Sequence, residues 1–324
     1  MKRKCINMIR LLTLTTVICL VNACRQQPAE KITNYKGTME NDQNLSAVAA
    51  PTLYATIRDK KIAYRAIGSG QPFILCNRFR GTLDTWDPMF LDELAKNFRV
   101  IIFDYTGIGL SSGELPTKIA AVAEDVKDLA GFLELDNWIM GGWSYGGIVA
   151  QTFSTRYPER VKATVLMGTN PPGKNAHPAE AIFLTTAAKP VNDLEDEYIL
   201  FFEPASVKSR EAAKLSHDRI AQRQTDKDIP VPPEKFGLYF DGVADYALDS
   251  FNAREKLGKI ATPVLSISGD HDCVCPIENW YPLTRKMSNL QIIMLPDAGH
   301  APQHQYVTLV SRYINEFVRH AVSL

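Results

Sequence analysis

The chain has 324 residues, 36 basic and 36 acidic side chains, 45% apolar residues and 22% charged ones. That balance excludes a polyanion binder, which carries a strong positive excess, and a disordered segment, which has too little apolar surface to bury. The charge is uneven: Lys2, Arg3, Lys4 and Arg10 precede every acid, and residues 24–324 carry 32 basic against 36 acidic side chains, a net of −4.

Those four cations open an export-type segment. The apolar run Leu11–Val21 that follows is too short to span a bilayer comfortably and fits a secretory signal. It ends in Val21-Asn22-Ala23-Cys24, which resembles a bacterial lipoprotein signal, with an aliphatic residue, a small residue and then Cys. The resemblance implies removal of residues 1–23, acylation of Cys24 and a membrane contact through that lipid. It implies a cell-envelope location facing the periplasm or the outside. A plain secretory signal or an uncleaved anchor is the alternative. Residues 24–50 are polar, lack an apolar period and read as a tether.

Of the six cysteines, Cys5 and Cys19 fall in the signal and Cys24 takes the lipid. Cys76, Cys273 and Cys275 are too few for a disulfide framework. Cys273-x-Cys275 beside His271 lacks a second ligand pair, so no metal is expected.

From residue 51 the pattern changes. Leu53–Ile57 and Lys61–Ala66 alternate apolar and polar residues around Arg58-Asp59-Lys60 and predict an antiparallel hairpin. Short apolar runs follow at Phe73–Cys76, Val100–Phe103, Trp138–Gly141, Ala163–Met167, Val264–Ser268 and Gln291–Leu295, separated by helix-period segments. This is the pattern of an α/β fold, a mostly parallel eight-stranded sheet covered by helices. Tyr145, Ile148, Val149, Thr152 and Phe153 predict one helical stripe. Tyr306, Leu309, Val310, Tyr313, Ile314 and Phe317 predict another. Between Pro171 and Lys259 the alternation stops, and helix-like pattern continues without clear strands. Residues 171–259 read as a helical cap inserted into a core of residues 51–170 and 260–324, the alternative being a peripheral helical decoration with no role in binding.

The nucleophile candidate is Ser144. Gly142-Trp143-Ser144-Tyr145-Gly146 sits between a predicted strand and a predicted helix. A sharp turn there exposes the hydroxyl, and the flanking glycines permit crowded backbone. Serine needs a base to become a nucleophile, and an acid to orient that base. Asp270 and Asp272 follow the strand at Val264–Ser268, and His300 follows the strand ending at Leu295, both in loops where ligands gather in such sheets.

With these residues in hand, the chain from about Leu53 onward resembles the α/β-hydrolases. The resemblance is to the capped branch of small esterases, cofactor-free haloperoxidase-like enzymes and carbon–carbon bond hydrolases. It selects Asp272 over Asp270 as the acid, since the family acid follows the loop glycine by three residues and precedes a proline. His300 matches the Gly-His ending. His271 and His304 are read as neighbours or surface residues. The resemblance implies an oxyanion site from the backbone amides of Phe79 and Tyr145, with Asn77-Arg78 standing where the family has His-Gly. Arg78 or Arg80 either points at the pocket, favouring an anionic substrate, or is a solvated loop charge. Trp143 and the cap residues Phe201 and Phe202 are candidate contacts for an apolar acyl or aromatic substrate, and core packing explains them equally well. Thr106 stands where relatives usually have Arg.

Gly107-x-Gly109 follows a strand, but Pro116 interrupts before any helix, so no dinucleotide site or other cofactor is expected. The implied activity is hydrolysis of an ester or related acyl bond of a small molecule through an acyl-enzyme. Carbon–carbon hydrolysis or perhydrolysis on the same triad is one alternative, and a non-catalytic binding protein is another. No nucleic-acid or protein partner is readable.

Overall fold

The computed structural model describes residues 45–323. The expectations for the signal, for Cys24 and for most of the tether lie outside those residues.

The hairpin is present: β1 (Leu53–Ile57) and β2 (Lys60–Ile67) pair antiparallel, with Arg58 and Asp59 in the turn. The chain continues through β3 (Gln71–Cys76), α1 (Pro88–Ala95), β4 (Phe98–Phe103) and α2 (Ile119–Phe132). Next come β5 (Trp138–Trp143), α3 (Tyr145–Arg156) and β6 (Val161–Met167). Five helices then precede the next strand: α4 (Ala181–Ala187), α5 (Leu194–Phe201), α6 (Val207–Ile220), α7 (Phe236–Leu248) and α8 (Ala253–Leu257). The chain closes with β7 (Val264–Gly269), β8 (Leu290–Leu295), α9 (Pro302–Gln305) and α10 (Val307–Ser323).

The eight strands lie in the order β1-β2-β4-β3-β5-β6-β7-β8. β2 runs antiparallel to β1 and β4, and every other pair is parallel. All residues of β4, β5 and β7 are buried, as apolar strands covered on both faces must be. From β3 the chain goes to β4 on one side and returns to β5 on the other. The loops after β3 and β5 therefore meet at a reversal of strand order, where open α/β sheets bind ligands.

Two apolar layers flank the sheet. One packs α2, α3 and part of α7 against it, the other α1 and α10. α3 departs from the predicted single stripe: Tyr145 through Thr155 are all buried, because α2, α7 and α8 close around its outer side. In α10 the buried stripe is Val310, Ile314, Phe317 and Val318, while Leu309 and Tyr313 are exposed. The predicted tether also ends early. Ala47 and Ala50 are buried, Ala47 N–H donates to Asp92 at 2.6 Å, and Arg223 donates to the Ala47 and Ala50 carbonyls. The run Leu45-Ser46-Ala47-Val48-Ala49-Ala50 is apolar but too short to show a period, and its small alanines dock through backbone groups as well as apolar contact.

Candidate active site

β5 runs straight into α3 through Ser144, which caps the helix with φ 57° and ψ −117°. Positive φ in a residue with a side chain is strained backbone, which persists only where its surroundings enforce it. They do so here by close approach. A Cβ on Gly142 would lie 2.1 Å from the Gly146 carbonyl oxygen, and one on Gly146 would lie 1.9 Å from that of Cys76. The Ser144 amide donates to Met167 of β6 and its carbonyl accepts from Gly147 and Ile148, so both sides of the elbow are tied. Its hydroxyl makes no hydrogen bond to a described residue, and apo sites commonly tighten only around substrate.

His300 lies in the loop between β8 and α9. Its Nδ1 is 3.0 and 2.9 Å from the two oxygens of Asp272, and both residues are buried. Asp272 Oδ1 also accepts from the amides of Val274 and Cys275 at 2.9 and 2.8 Å, which fixes the carboxylate. Asp270 engages His271 at 2.7 Å and the Ala298 amide, and makes no bond to His300. The carboxylate against the histidine is therefore Asp272. Trp143 corrects an expectation: it is buried and lines no cavity that Ser144 reaches. As the last residue of β5 its side chain turns inward, and its indole N–H donates to the His300 carbonyl at 2.7 Å. It holds the histidine loop.

The loop after β3 supplies the opposite wall. Asn77 is fully buried, donates to the Phe103 carbonyl and accepts from the Trp86 indole, so it braces the loop from beneath. The Phe79 amide donates to no described residue, and the Tyr145 amide is the first of α3, where no intrahelical acceptor exists. Two arginines flank Phe79 and differ sharply. Arg80 donates to the carbonyls of Ala187, Lys189 and Pro190 and to Asn192 Oδ1, so it is committed to the cap. Arg78 donates only to the neighbouring Phe79 carbonyl, its Nε is buried without an acceptor, and its head lies over the rings of Phe201 and Trp143 at 4.5 and 5.2 Å. Burial lowers its pKa to about 10, which leaves it a cation at neutral pH.

Ser144 opens onto two cavities that share Phe79 and Phe183 as walls. One is small, about 20 Å³, and is lined by Arg78, His300, Leu200 and Phe201 among others. The other is about 580 Å³ and largely apolar, with Ile148, Tyr239, Phe240 and Val243 in its wall. Phe201 of α5 thus lines the site, while its neighbour Phe202 does not touch either space.

A family model described as the alpha/beta hydrolase fold matches residues 71–305. The chain belongs to the α/β-hydrolase family. An α/β-hydrolase fold protein from Chitinophaga pinensis superposes with a TM-score of 0.77 at 27% identity, covering 85% of this chain and 99% of that one. A thermophilic esterase from Thermogutta terrifontis shares the fold with a TM-score of 0.66 at 23% identity, over 84% and 99% of the two chains. A poly(3-hydroxyalkanoate) depolymerase of Ectopseudomonas oleovorans is 26% identical over 258 residues, 77% of this chain and 87% of that protein.

This α/β-hydrolase also carries a buried polar cluster that its sequence did not announce. Arg219 of α6 grips Asp87, the fully buried N-cap of α1, with Nε and Nη2 at 2.6–3.0 Å. His304, read as a neighbour or surface residue, is buried beside them. Its Nε2 accepts from the Asp87 amide, and its ring lies 4.8 Å from that of Trp143. Asp87-Pro88 is a legible helix start, but nothing local marks Arg219 as its partner. Thr106 bonds Asp125 at 2.6 Å, away from Ser144.

Proposed function

We propose that the protein is a serine hydrolase that cleaves an ester or related acyl bond of a small molecule. The observation that carries this reading is that Ser144, on a strained elbow, and His300, tied to Asp272, line one cavity. In this reading His300 takes the proton from the Ser144 hydroxyl as its oxygen bonds to the acyl carbon. The carbonyl electron pair moves to the oxygen, which faces the Phe79 and Tyr145 amides. Collapse breaks the bond to the leaving group, which receives the proton from His300. Water then repeats the sequence on the acyl-enzyme, releasing the acid and restoring Ser144. Asp272 holds the imidazole in the tautomer this requires. The depolymerase and esterase likenesses support ester chemistry for the same fold.

The test is covalent labelling of the purified full chain by a fluorophosphonate probe beside Ser144→Ala. Labelling that disappears in the variant is the expected result. A folded protein that takes no label would sink the reading.

A further inference from the structure

We propose that Arg78 selects substrates whose acyl part ends in a short carboxylate, so that the preferred substrate is an anionic ester with its apolar remainder in the large cavity. This rests on the acyl-hydrolase reading of Ser144 and adds a substrate class to it.

Arg78 has an unmet hydrogen-bonding need. A buried guanidinium N–H without an acceptor costs on the order of 1–3 kcal/mol, more when the group is charged. Native structures seldom leave such a donor unpaired without a ligand or water to meet it. Arg78 has that orphan at Nε, its one hydrogen bond goes to the Phe79 carbonyl, and Glu197 acts on its charge without hydrogen-bonding it. The rings of Phe201 and Trp143 offset part of the charge but accept no in-plane N–H. Arg80, one residue beyond Phe79, shows the contrast, with its head filled by four acceptors from the cap. Only one of the two cations is left for something that enters.

The space beside Arg78 limits what can enter. About 10–15 Å³ of such space holds one water, so the cavity of about 20 Å³ suits a compact polar group and not a chain. Ser144 and His300 share that cavity, so the anionic group sits close to the scissile carbonyl. The large cavity is walled mostly by apolar side chains, Ile148, Tyr239, Phe240 and Val243 among them, with Lys174 its one lysine or arginine. A charged end toward Arg78 and an apolar leaving group on the other side is the orientation in which neither part is stranded. A carboxylate fits a guanidinium fork through two parallel hydrogen bonds, and the low-dielectric surroundings strengthen the pair.

The experiment compares two near-isosteric esters on the full chain at neutral pH, monobenzyl succinate and benzyl 4-methylpentanoate, by benzyl alcohol release. Wild type is expected to favour the anion in kcat/KM by about 10- to 100-fold, the worth of one or two charge-assisted hydrogen bonds. Arg78→Met should lower that ratio by the same factor, and Arg78→Lys should recover part of it. The wild-type ratio needs no variant, so a misfolded Arg78→Met does not remove the test. Equal or better cleavage of the neutral ester overturns the proposal, as does an unchanged ratio in a folded Arg78→Met. Cleavage of neither ester by protein that takes the fluorophosphonate on Ser144 also overturns it, while leaving the serine-hydrolase reading intact. Absence of that label brings down both.

Discussion

The two halves of the site are built by different physics. On the sheet side, each proposed catalytic residue is held by hydrogen bonds that involve main-chain groups: the Ser144 amide to Met167, Asp272 from the Val274 and Cys275 amides, the His300 carbonyl from the Trp143 indole. On the cap side, ring contacts and ion pairs dominate. Phe79 meets Phe236, Tyr239 and Phe240 with ring centres 5.2–5.4 Å apart, and Arg219 clasps Asp87 across the boundary between α6 and α1. Backbone bonds fix positions to fractions of an ångström, which the chemistry proposed for Ser144 needs. Ring packing and long side chains tolerate repacking, which suits a surface that decides only what fits. Damage on the sheet side should therefore show in kcat, and damage on the cap side in stability and KM.

The sharpest break of that division is Asp272→Asn. The amide keeps the shape and can still accept from Val274 and Cys275, but presents the imidazole with the wrong partner for its tautomer. A fall in kcat of about 10⁴-fold with little change in melting temperature is expected. Comparable losses in kcat and in stability would mean Asp272 is a loop staple and the division is false. The corresponding cap-side change is Arg219→Gln. It leaves a fully buried Asp87 carboxylate without its cation, and Arg219 is 21% exposed. The cost should sit near the lower end of the range for a broken buried pair, about 3 kcal/mol in urea unfolding. kcat on a cleaved ester should change far less than in Asp272→Asn. A stable Arg219→Gln with lost turnover would reverse the assignment of roles.

What the sequence made legible follows the same line. All eight strands were readable, two as the alternating arms of a hairpin and six as short apolar runs bounded by turn residues, and the structure lengthens all but the first by one or two residues at an end. Ser144 and His300 were readable because an elbow and a post-strand loop are local patterns. Asp272 over Asp270 was not settled by the residues alone, since two acids two positions apart differ only in which way the loop turns them. The Arg219–Asp87 pair spans 132 positions and the His304–Asp87 contact 217, and no local pattern encodes a partner at that range. Arg78 shows the limit from the other side. Its place in the chain was plain, but that Arg80 is spent on the cap and Arg78 is not depends on where residues 187–192 fold back.

His304 gives the finest test of the boundary between the halves, because it belongs to both. It touches Trp143 on the sheet side and lies against Asp87 beneath the cap. Its Nε2 must be unprotonated to accept the Asp87 amide, and burial lowers its pKa from 6.5 to about 4, with Asp87 opposing that shift and Arg78 and Arg219 reinforcing it. Between those two pH values the unfolded chain binds a proton that the folded chain refuses, so stability falls as pH drops from 6.5 toward 4. Full titration of such a shift is worth up to about 3 kcal/mol. His304→Gln, which can accept the same amide and does not titrate, should flatten that part of the curve of unfolding free energy against pH, leaving the rest parallel to wild type. If the two curves keep one slope across the window, the histidine is reached by water and the layer between sheet and cap is wetter than its packing implies. If they diverge as expected, the seam is dry, and the charge on Arg78 beside it is felt at close to full strength by whatever enters the small cavity.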